Sequence, residues 1–520
     1  MKLTEFSTYT DAQRHYSSAK LWELFDGTRE RLNLAHECID RHATSSDRVA
    51  VRIAFADGHD EHITFERLKT LSSQVAHFLT SRGVGQGDRV AIMLEPSLVF
   101  YAGLFGAIKT GAIAVPLFTL FGPDGLRLRI DDCKPKVLLT NPEKATIAAG
   151  IEGLDVVIAD DAFIASLADY PNAFGWCSKA DDLAVFQYTS GTTRELPEAI
   201  RHTHRAIVVV MIAALYGTGV RPGEEFFCPS SPAWGHGMWH GTLAPLALGL
   251  TIGAYSGRFD ADRLMQALQN FRVTNLSAAA THYRMMKNAG TASRYKFALE
   301  KITFTGEPID SDTSAFAKRT FGQLPASFYG TTEVGVVLAS YPGAVDLPVR
   351  AGALGKPLPG GKVEVQGPDG KALPPKAVGE IKVWRRDGWL KTKDLGWTDE
   401  DGYFYHAGRV DDVIISAGWT MSAVEIEDAM LKHKDVREAA AIGVADPVRG
   451  QVVKAFVVSP RAGDAKFVAE IQDLVRARLS AHEYPRQIAF VAELPKTPAG
   501  KVNRKVLRDR EVAAAKRDKA

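Results

Sequence analysis

Short apolar runs alternate with helix-periodic segments over about the first 400 residues of the chain. Clusters of Gly, Ser and Thr follow several of these runs, which is typical of strands that end in loops. The predicted strands are Arg89 to Leu94, Lys136 to Thr140, Val156 to Ala159, Leu183 to Tyr188, Thr251 to Tyr255, Thr274 to Ala278, Lys301 to Thr305 and Ala326 to Tyr329. Helical spacing predicts intervening helices such as Leu98 to Thr110 and Ala261 to Phe271. The alternation predicts parallel sheets covered by helices, with ligands bound where the strands end.

The pattern changes towards the carboxyl end of the chain. Gly355 to Gly361 (GKPLPGG) interrupts it, and short strands of antiparallel type follow. After Gly408 to Asp412, a capping box formed by Ser422 and Glu425 predicts a helix start. Further predicted elements are strands at Ala439 to Val444, Val452 to Val458 and Ile488 to Val491, and a helix with Phe467, Ile471, Leu474, Val475 and Leu479 on one face. We therefore predict a large N-terminal domain over residues 1–410 and a small α+β domain over residues 411–520.

Composition narrows the class of protein without identifying it. Among 520 residues, 63 are basic and 61 acidic, and this balance argues against a dedicated nucleic-acid binder. The four cysteines contain no CxxC pair, which argues against a disulfide framework or a zinc site and favours a reducing compartment. Residues 1–10 lack the apolar core of a signal peptide, and the apolar run from Ala206 to Leu215 is too short to span a bilayer. The sequence therefore predicts a cytoplasmic protein.

Two segments that follow predicted strands have anion-binding chemistry. Tyr188 to Thr193 (YTSGTT) offers hydroxyls and backbone amides that can wrap an anion, but no GK[ST] follows, so it is not a Walker A loop. In Tyr329 to Glu333 (YGTTE), Thr332 can donate to a phosphate oxygen and Glu333 can hold Mg²⁺. Taken alone, the first segment is equally well explained as a polar turn, and the second is better explained as a loop with a solvated Glu.

Two later segments add groups suited to a nucleotide. Asp394 and Arg409 flank a hairpin rich in Gly and aromatic residues, and an Asp that accepts two hydroxyl protons is a good ribose ligand. Lys501 ends the loop PKTPAGK, from which its charge can neutralise developing negative charge. The plain structural alternatives are a surface salt bridge and a solvated lysine.

In this order and spacing, the segments resemble the adenylate-forming acyl-CoA synthetases, over about Asn33 to Arg504. The matching segments are YTSGTT at Tyr188, GEP at Gly306, YGTTE at Tyr329, TxD at Thr392, GRVDDVIISAG at Gly408 and PKTPAGK ending at Lys501. The resemblance implies an α/β fold in which a large N-terminal domain of layered sheets and helices carries a small mobile lid, hinged at Asp411. It also implies a reaction in which ATP and a carboxylic acid form an acyl adenylate and pyrophosphate, after which the thiol of coenzyme A displaces AMP.

The resemblance assigns roles to individual residues. Lys501 would bridge the acid and the α-phosphate, Thr332 would bind the α-phosphate and Glu333 the Mg²⁺, with His236 beside the carboxylate. The expected nucleotide-binding residues are Thr189, Ser190, Gly191, Thr192, Thr193, Arg194, Gly306, Glu307, Pro308, Tyr329, Gly330, Thr331, Asp394 and Arg409. Gly418 is expected to line the tunnel for coenzyme A. The acid pocket is expected to comprise Trp234, His236, Met238, Trp239, Phe304, Val334 and Gly335.

Within these assignments, Gly306 to Pro308 would line the adenine slot, Tyr329 would stack on the purine, and Asp394 with Arg409 would hold the ribose. The spacing of His236 and His240 suggests a metal pair, but no third ligand is in view, so a pocket wall is the preferred interpretation.

Three departures from the family pattern bear on the substrates. The phosphate loop has Glu198 where the family usually has Lys, and Arg194 is a candidate replacement for that cation. Thr420 stands where some relatives carry Arg. Acetate-specific relatives close the acid pocket with a Trp just before their QTE motif, whereas Gly330 precedes Thr331 here. The missing plug favours an acid larger than acetate: aromatic, alicyclic or medium-chain.

Several functions remain open from the sequence alone. The leading prediction is an ATP-dependent acid–CoA ligase that uses ATP, Mg²⁺ and coenzyme A. The alternatives are an enzyme that uses only preformed acyl adenylates and an adenylation enzyme that loads a carrier protein. A catalytically silent binding module is disfavoured by Lys501, Glu333 and Asp394. Neither a nucleic-acid partner nor a membrane span is expected, and a homodimer is allowed for.

Overall fold

A computed structural model provides the fold. It describes residues 2–188, 199–331, 334–386, 388–409, 413–416, 419–446, 450–479, 484–497 and 500–517. In these segments the chain forms a mixed α/β protein with a large N-terminal and a small C-terminal part, which confirms the predicted fold class. The exact residue at which one domain gives way to the other, set at 410/411 by the sequence, stays a prediction because residues 410–412 lie outside these segments.

The strands are short, as the apolar runs predict. They are β1 (Val49–Phe55), β2 (Asp60–Thr64), β3 (Arg89–Met93), β4 (Ile113–Pro116), β5 (Val137–Thr140), β6 (Asp155–Ile158), β7 (Leu183–Tyr188), β8 (Ala199–Thr203), β9 (Glu225–Cys228), β10 (Thr251–Ser256), β11 (Asn275–Ala279), β12 (Lys301–Thr305), β13 (Ala326–Thr331), β14 (Gly335–Ala339), β15 (Ala353–Pro357), β16 (Val363–Gln366), β17 (Gly379–Arg385), β18 (Gly388–Thr398), β19 (Phe404–Arg409), β20 (Val413–Ser416), β21 (Trp419–Ser422), β22 (Glu438–Asp446), β23 (Gly450–Val458) and β24 (Gln487–Phe490).

The helices lie mostly between these strands. They are α1 (Tyr9–His15), α2 (Ser18–Trp22), α3 (Leu34–Cys38), α4 (Phe65–Ser81), α5 (Leu98–Lys109), α6 (Pro123–Cys133), α7 (Pro142–Ala148), α8 (Asp161–Ser166), α9 (Ala206–Ala213), α10 (Ala244–Ala247), α11 (Ala261–Asn270), α12 (Ala280–Ala289), α13 (Ser311–Phe321), α14 (Ala423–Met430), α15 (Ala465–Arg478) and α16 (Arg504–Arg517). Two wider π-helical segments, Ala214–Thr218 and His236–Leu243, also occur. None of the helices in the described segments is long and apolar enough to cross a membrane.

Two sheets build the N-terminal part. One has the strand order β6-β5-β3-β4-β7-β8, and the other runs from β16 through β19, β15 to β11 and β9 to β10, β1 and β2. Strands β9 to β13 pair in parallel, as do β3 to β7, whereas β14 to β19 pair antiparallel. The parallel sheets and the later antiparallel strands are both as the sequence predicts.

Helix α5 shows how the two sheets share one core. Its residues from Val99 to Lys109 are all buried, and a helix that is apolar on every side must be enclosed on every side. It belongs to a single apolar cluster that includes side chains of β1 in one sheet and of β3 and β5 in the other. The helix therefore lies between the two sheets and packs against both of them.

The C-terminal part has a core of its own. Strands β22, β23 and β24 form a small sheet, and apolar residues of α14 and α15 pack with it, among them Ile426, Phe467 and Ile471. Helix α14 begins at Ala423, directly after Ser422, where the capping box predicts a helix start. This segment is the small C-terminal α+β part of the fold class that the sequence predicts.

Candidate active site

The candidate site lies where parallel strands of the larger sheet end. Strands β11, β12 and β13 are parallel neighbours, so their carboxyl ends meet at one edge. Gly306 to Pro308 directly follow β12, and Tyr329 to Thr331 form the last residues of β13. Two sequence-predicted nucleotide segments are therefore brought together by sheet topology, although 20 or more residues separate them in the chain.

A short hydrogen bond joins two of the predicted nucleotide ligands. The Tyr329 hydroxyl donates to Oδ2 of Asp394 over 2.6 Å, and the Asp394 side chain is buried. Asp394 lies opposite Arg409 in the antiparallel pair β18–β19, as expected for residues that flank a hairpin. Nε2 of His406 lies 3.8 Å from Oδ1 of Asp394. The Asp394 carboxylate is thus held against the end of β13, with Tyr329 fixed beside it.

Lys501 of the small domain reaches the same edge. A Cβ built on Gly306 would lie 3.4 Å from Cε of Lys501 and 3.0 Å from Cη2 of Trp234. Nζ of Lys501 lies 5.8 Å from the centre of the Trp234 ring. Gly306 has a φ of +96°, which disfavours any other residue, and its lack of a side chain leaves room for both neighbours.

The loop that carries Lys501 is fixed by its own backbone. The Thr497 amide donates to the Lys501 carbonyl over 2.7 Å, and the Lys501 amide donates to the Thr497 hydroxyl over 3.2 Å. Gly500, with a φ of +81°, permits this tight turn. The turn aims the lysine side chain towards Gly306 and Trp234.

Glu307 accepts hydrogen bonds from Thr281 and Arg284, and Thr281 lies close to the loop that carries Lys501. Its Oε1 accepts from the Thr281 hydroxyl over 2.6 Å and from Nη1 of Arg284 over 3.3 Å. A Cβ built on Gly500 would lie 4.0 Å from the Thr281 hydroxyl oxygen. Burial opposes the charge of Arg284, but Glu307 and Asp310 raise its pKa. The sequence analysis does not identify Thr281 or Arg284. Their spacing of three residues on one helix is the only signal in the sequence that they share a face.

A second contact joins the two domains beside α13. Nζ of Lys432, two residues after the end of α14, lies 3.1 Å from Oδ1 of Asp312 and also donates to the Ser311 hydroxyl. Ser311 and Asp312 form the first turn of α13, where the helix N-terminus lies. Lys432 is largely covered, whereas Asp312 is about half exposed. Lys432 therefore joins the small domain to α13 of the large domain, independently of Lys501.

His236 lies in the interior behind Trp234. Its Nδ1 is 2.9 Å from the Ser230 hydroxyl and its Nε2 is 2.8 Å from the Ser277 hydroxyl, so both ring nitrogens have partners. Burial holds the pKa of His236 well below its usual range, and the imidazole is neutral. The ring centre lies 5.3 Å from that of Trp234. His236 is thus arranged as a wall of the site, and its nitrogens are already engaged.

The other residues predicted for the acid pocket lie in different apolar clusters and strands. Met238 is fully buried in the main core. Trp239 donates from Nε1 to Oε1 of Gln187 over 3.2 Å and packs on His202 at 4.7 Å. The buried Val334 belongs to an apolar cluster that Tyr329 packs against. The set also includes Phe304, on β12, and Gly335, at the start of β14. Trp234 is the member of the set that meets Lys501.

Several predicted residues lie outside the described segments. They are Thr189, Ser190, Gly191, Thr192, Thr193 and Arg194 of the phosphate loop, Thr332, Glu333, the hinge residue Asp411 and Gly418, together with the side chain of Arg409. The expected Mg²⁺ ligand, Glu333, is among them. Within the described segments, no group of three or more His, Cys, Asp or Glu side chains is arranged to hold a metal ion.

The chain is similar to known proteins in sequence and in fold. The AMP-binding enzyme family matches residues 39–387, and the AMP-binding enzyme C-terminal domain matches residues 425–501. The chain is 30% identical to the acetyl-coenzyme A synthetase of Bacillus subtilis, over 96% of this chain and 94% of that protein. The crystal structure of an acyl-CoA synthetase of Brucella canis has a TM-score of 0.75 at 31% identity, covering 98% of this chain and 100% of that one. A benzoate CoA ligase of Burkholderia xenovorans has a TM-score of 0.79 at 25% identity, covering 92% and 100%.

Proposed function

The chain belongs to the AMP-binding enzyme family and is an acid–CoA ligase that acts through an acyl adenylate, and we propose that its acid is larger than acetate. The acid class we propose is aromatic, alicyclic or medium-chain. The similar acetyl-coenzyme A synthetase makes acetate the natural competing assignment, so the size of the acid pocket decides between them.

Gly330 is the observation that carries this proposal. A Cβ built on Gly330 would lie 2.2 Å from the Gly335 carbonyl oxygen and 2.6 Å from Cα of Val336. These are backbone atoms, so even an alanine would require the β13–β14 hairpin to move. A bulky side chain at this position, which closes the pocket in acetate-specific relatives, has no place here. Without such a side chain at Gly330, we expect the acid to lie beside Trp234 and Val334.

In the proposed reaction, Lys501 acts where negative charge develops. The acid carboxylate attacks the α-phosphorus of ATP, a new C–O–P linkage forms, and pyrophosphate departs with the electron pair of the broken P–O bond. The position of Lys501 next to Gly306 and Trp234 supports the proposal that its ammonium group faces both the carboxylate and the α-phosphate. Such a charge stabilises the transition state more strongly in a closed site than in water.

The remaining roles follow the segments predicted from the sequence. Asp394 and Arg409 would hold the ribose, with Tyr329 fixing the Asp394 carboxylate, and Gly306 to Pro308 would line the adenine slot. Thr332 would bind the α-phosphate and Glu333 would hold Mg²⁺, which supplies charge neutralisation to the phosphates when bound. After adenylation, rotation about Asp411 would withdraw Lys501 and present Gly418 to coenzyme A, whose thiol displaces AMP.

The test is a panel of acids supplied with ATP, Mg²⁺ and coenzyme A. It includes acetate, hexanoate, cyclohexanecarboxylate and benzoate, and it measures AMP, pyrophosphate and thioester separately. We expect all three products in equal amounts with at least one larger acid, at a kcat/KM at least about tenfold above that for acetate, a difference of 1.4 kcal/mol. A preference for acetate would overturn the proposed acid class.

The same measurement separates the alternative functions. Thioester formation from synthetic acyl adenylates, without acid-dependent pyrophosphate release from any acid, would identify an enzyme that uses only preformed adenylates. Pyrophosphate release with no thioester on coenzyme A would favour a carrier protein as the acceptor. Either result would overturn the proposed function.

A further inference from the structure

His240 is a buried imidazole without a hydrogen-bond partner in the described part of the chain. Its Nδ1 is buried and has no hydrogen-bond partner among the described residues. The side chain is almost wholly enclosed, with 9% of the residue's surface accessible. An unpaired polar group in the interior costs about 1–3 kcal/mol, so it calls for an explanation.

A continuous series of ring contacts connects His240 with the reaction centre. The series starts at Lys501, whose Nζ lies 5.8 Å from the Trp234 ring, and the Trp234 ring lies 5.3 Å from that of His236. The His236 and His240 rings each lie 5.4 Å from the Phe328 ring. His240 is therefore at the inner end of the wall that begins at the lysine.

The two histidines of this wall, His236 and His240, differ in whether their ring nitrogens have hydrogen-bond partners. His236 has both nitrogens engaged by the Ser230 and Ser277 hydroxyls, so it has none to offer a ligand. His240 has the same enclosure and the same aromatic neighbour, but no such serine. Hydrogen bonds within the protein account for a polar side chain at His236. They do not account for one at His240.

The surroundings of His240 favour an uncharged ligand group. Burial alone lowers the pKa of His240 to about 4, so the imidazole is neutral and no neighbouring charge contributes to the shift. A neutral imidazole offers one donor and one acceptor, and a hydroxyl group can pair with either. A second carboxylate would find no cation here, and burying it unpaired would be very unfavourable.

We propose that His240 recognises a neutral hydrogen-bonding substituent, a hydroxyl group, at the end of the acid remote from its carboxylate. The preferred substrates of the enzyme are therefore hydroxy-substituted carboxylic acids. This inference rests on the proposed function, because it requires the acid to lie along the wall from Lys501 inwards. A site built to bond a substrate hydroxyl discriminates against the analogue that lacks it, because its own polar group is then left unpaired.

The test compares acids that share a carbon skeleton. The pairs are benzoate with meta- and para-hydroxybenzoate, and hexanoate with ω-hydroxyhexanoate, each measured as kcat/KM for thioester formation. In the wild-type enzyme we expect kcat/KM to be about 10- to 100-fold higher for the hydroxylated acid in at least one pair. This is the effect of one hydrogen bond to a buried polar group. Equal kcat/KM values within every pair would overturn the inference.

Substitutions of His240 locate the source of the preference. His240→Leu removes both nitrogens, so we expect the ratio of kcat/KM between the hydroxylated and the unsubstituted acid to fall to about one. His240→Asn retains a donor and an acceptor and should keep part of the preference. A His240→Leu enzyme with the wild-type ratio, or with both acids slowed equally, would overturn the role of His240. Should His240→Leu not fold, the His240→Asn ratio and the wild-type ratio decide the matter.

His202→Leu is the matched control. His202 is partly buried, burial also lowers its pKa to about 4, and its Nε2 is likewise unpaired within the described residues. It packs on Trp239 instead of Phe328, so we expect its loss to change both acids of a pair by the same factor. A loss of preference in His202→Leu but not in His240→Leu would overturn the assignment. Turnover of no acid at all would instead overturn the proposed function, and this inference with it.

Discussion

The hydroxyl of Tyr329 donates to the buried carboxylate of Asp394 over 2.6 Å, and this bond ties the end of β13 to β18, 65 residues further along the chain. The two residues were expected to contact different parts of the nucleotide, the purine and the ribose. Their direct contact means that the two subsites are not independent, because a shift of one side chain changes the position of the other. A change confined to Tyr329 should therefore affect both.

Tyr329→Phe keeps the aromatic ring and removes the donor. We expect the ATP KM to rise about tenfold, because the buried Asp394 carboxylate loses one hydrogen bond, at a cost of about 1–3 kcal/mol, and is held less firmly against the ribose hydroxyls. The measurement is steady-state kinetics with ATP varied at saturating acid. Tyr405→Phe is the matched control, because the Tyr405 hydroxyl also donates to a carboxylate, Asp399, over 3.1 Å but away from the site. Equal effects of the two substitutions would contradict the coupling.

Several buried histidines make the fold sensitive to mild acid. Burial is the largest cause that lowers the pKa of each to about 4: His42, His202, His204, His240 and His282. In the unfolded chain these groups titrate near 6.5, so between about pH 6.5 and 4 the unfolded state binds more protons and stability falls as the pH falls. We expect each histidine to remove about 1 kcal/mol from the free energy of unfolding between pH 7.5 and 5.5. Urea unfolding at both pH values measures this, and equal stability would contradict it.

Local sequence pattern was sufficient for most of the fold. Leu183 to Tyr188 and Lys301 to Thr305 are strands with the predicted bounds, because a short run of buried apolar residues between loops suits a parallel strand. Strand β8 was not predicted, since its sequence AIRHT is mostly polar and lies at the edge of its sheet. Edge strands bury less surface and leave a weaker pattern.

The candidate site was less accessible to sequence reasoning. Lys501 of the small domain lies beside Gly306 of the large one, and no local periodicity encodes this proximity. The role of Thr281 and Arg284 in holding Glu307 depends on the pairing of α12 with the end of β12, which likewise has no local signal. His236 and His240 were noted for a spacing of four, but only the π-helix over His236–Leu243 and the position of Phe328 distinguish their environments.

Gly330 provides a test of the pocket geometry through stability. Gly330→Ala places a Cβ 2.2 Å from the Gly335 carbonyl oxygen, so the hairpin must shift. We expect a loss of about 1–3 kcal/mol in the free energy of unfolding, as is typical of overpacked sites. Gly175→Ala is the control, because a Cβ there has no heavy atom within 4 Å. Two equally stable variants would show that the hairpin tolerates a side chain at Gly330.

Lys432 provides a test of how the small domain docks. Lys432→Glu places a negative charge against Asp312, which should weaken docking and slow adenylation up to about fivefold, the equivalent of about 1 kcal/mol for a partly exposed pair. Thioester formation from a synthetic acyl adenylate should change less. The double variant Lys432→Glu with Asp312→Lys should recover adenylation, and Lys434→Glu, an exposed neighbour, controls for net charge. No recovery in the double variant would contradict a direct pairing.

The most decisive substitution is Lys501→Ala, because the location of Lys501 predicts a role in one half-reaction only. Its side chain lies beside Gly306 and Trp234, where the acid and the α-phosphate are proposed to meet, and its charge is needed as pyrophosphate leaves. Removing a group of this kind typically costs 100- to 1,000-fold, about 2.7–4 kcal/mol, so we expect acid-dependent pyrophosphate release to fall by that factor. Thioester formation from a synthetic acyl adenylate and coenzyme A, which needs no new charge on phosphorus, should stay within about threefold of wild type.

Lys496→Ala is the matched control for Lys501→Ala. Lys496 lies on the same loop but pairs with Glu438 of the small domain at 2.8 Å, so its loss disturbs the loop without removing a charge from the site. We expect both half-reactions of this variant to change by a similar, small factor. If Lys501→Ala instead slowed both half-reactions equally while its unfolding transition matched that of wild type, the lysine would be needed for the shape of the site and not for the chemistry of adenylation. The ratio of the two rates, rather than either rate alone, therefore decides the role of Lys501.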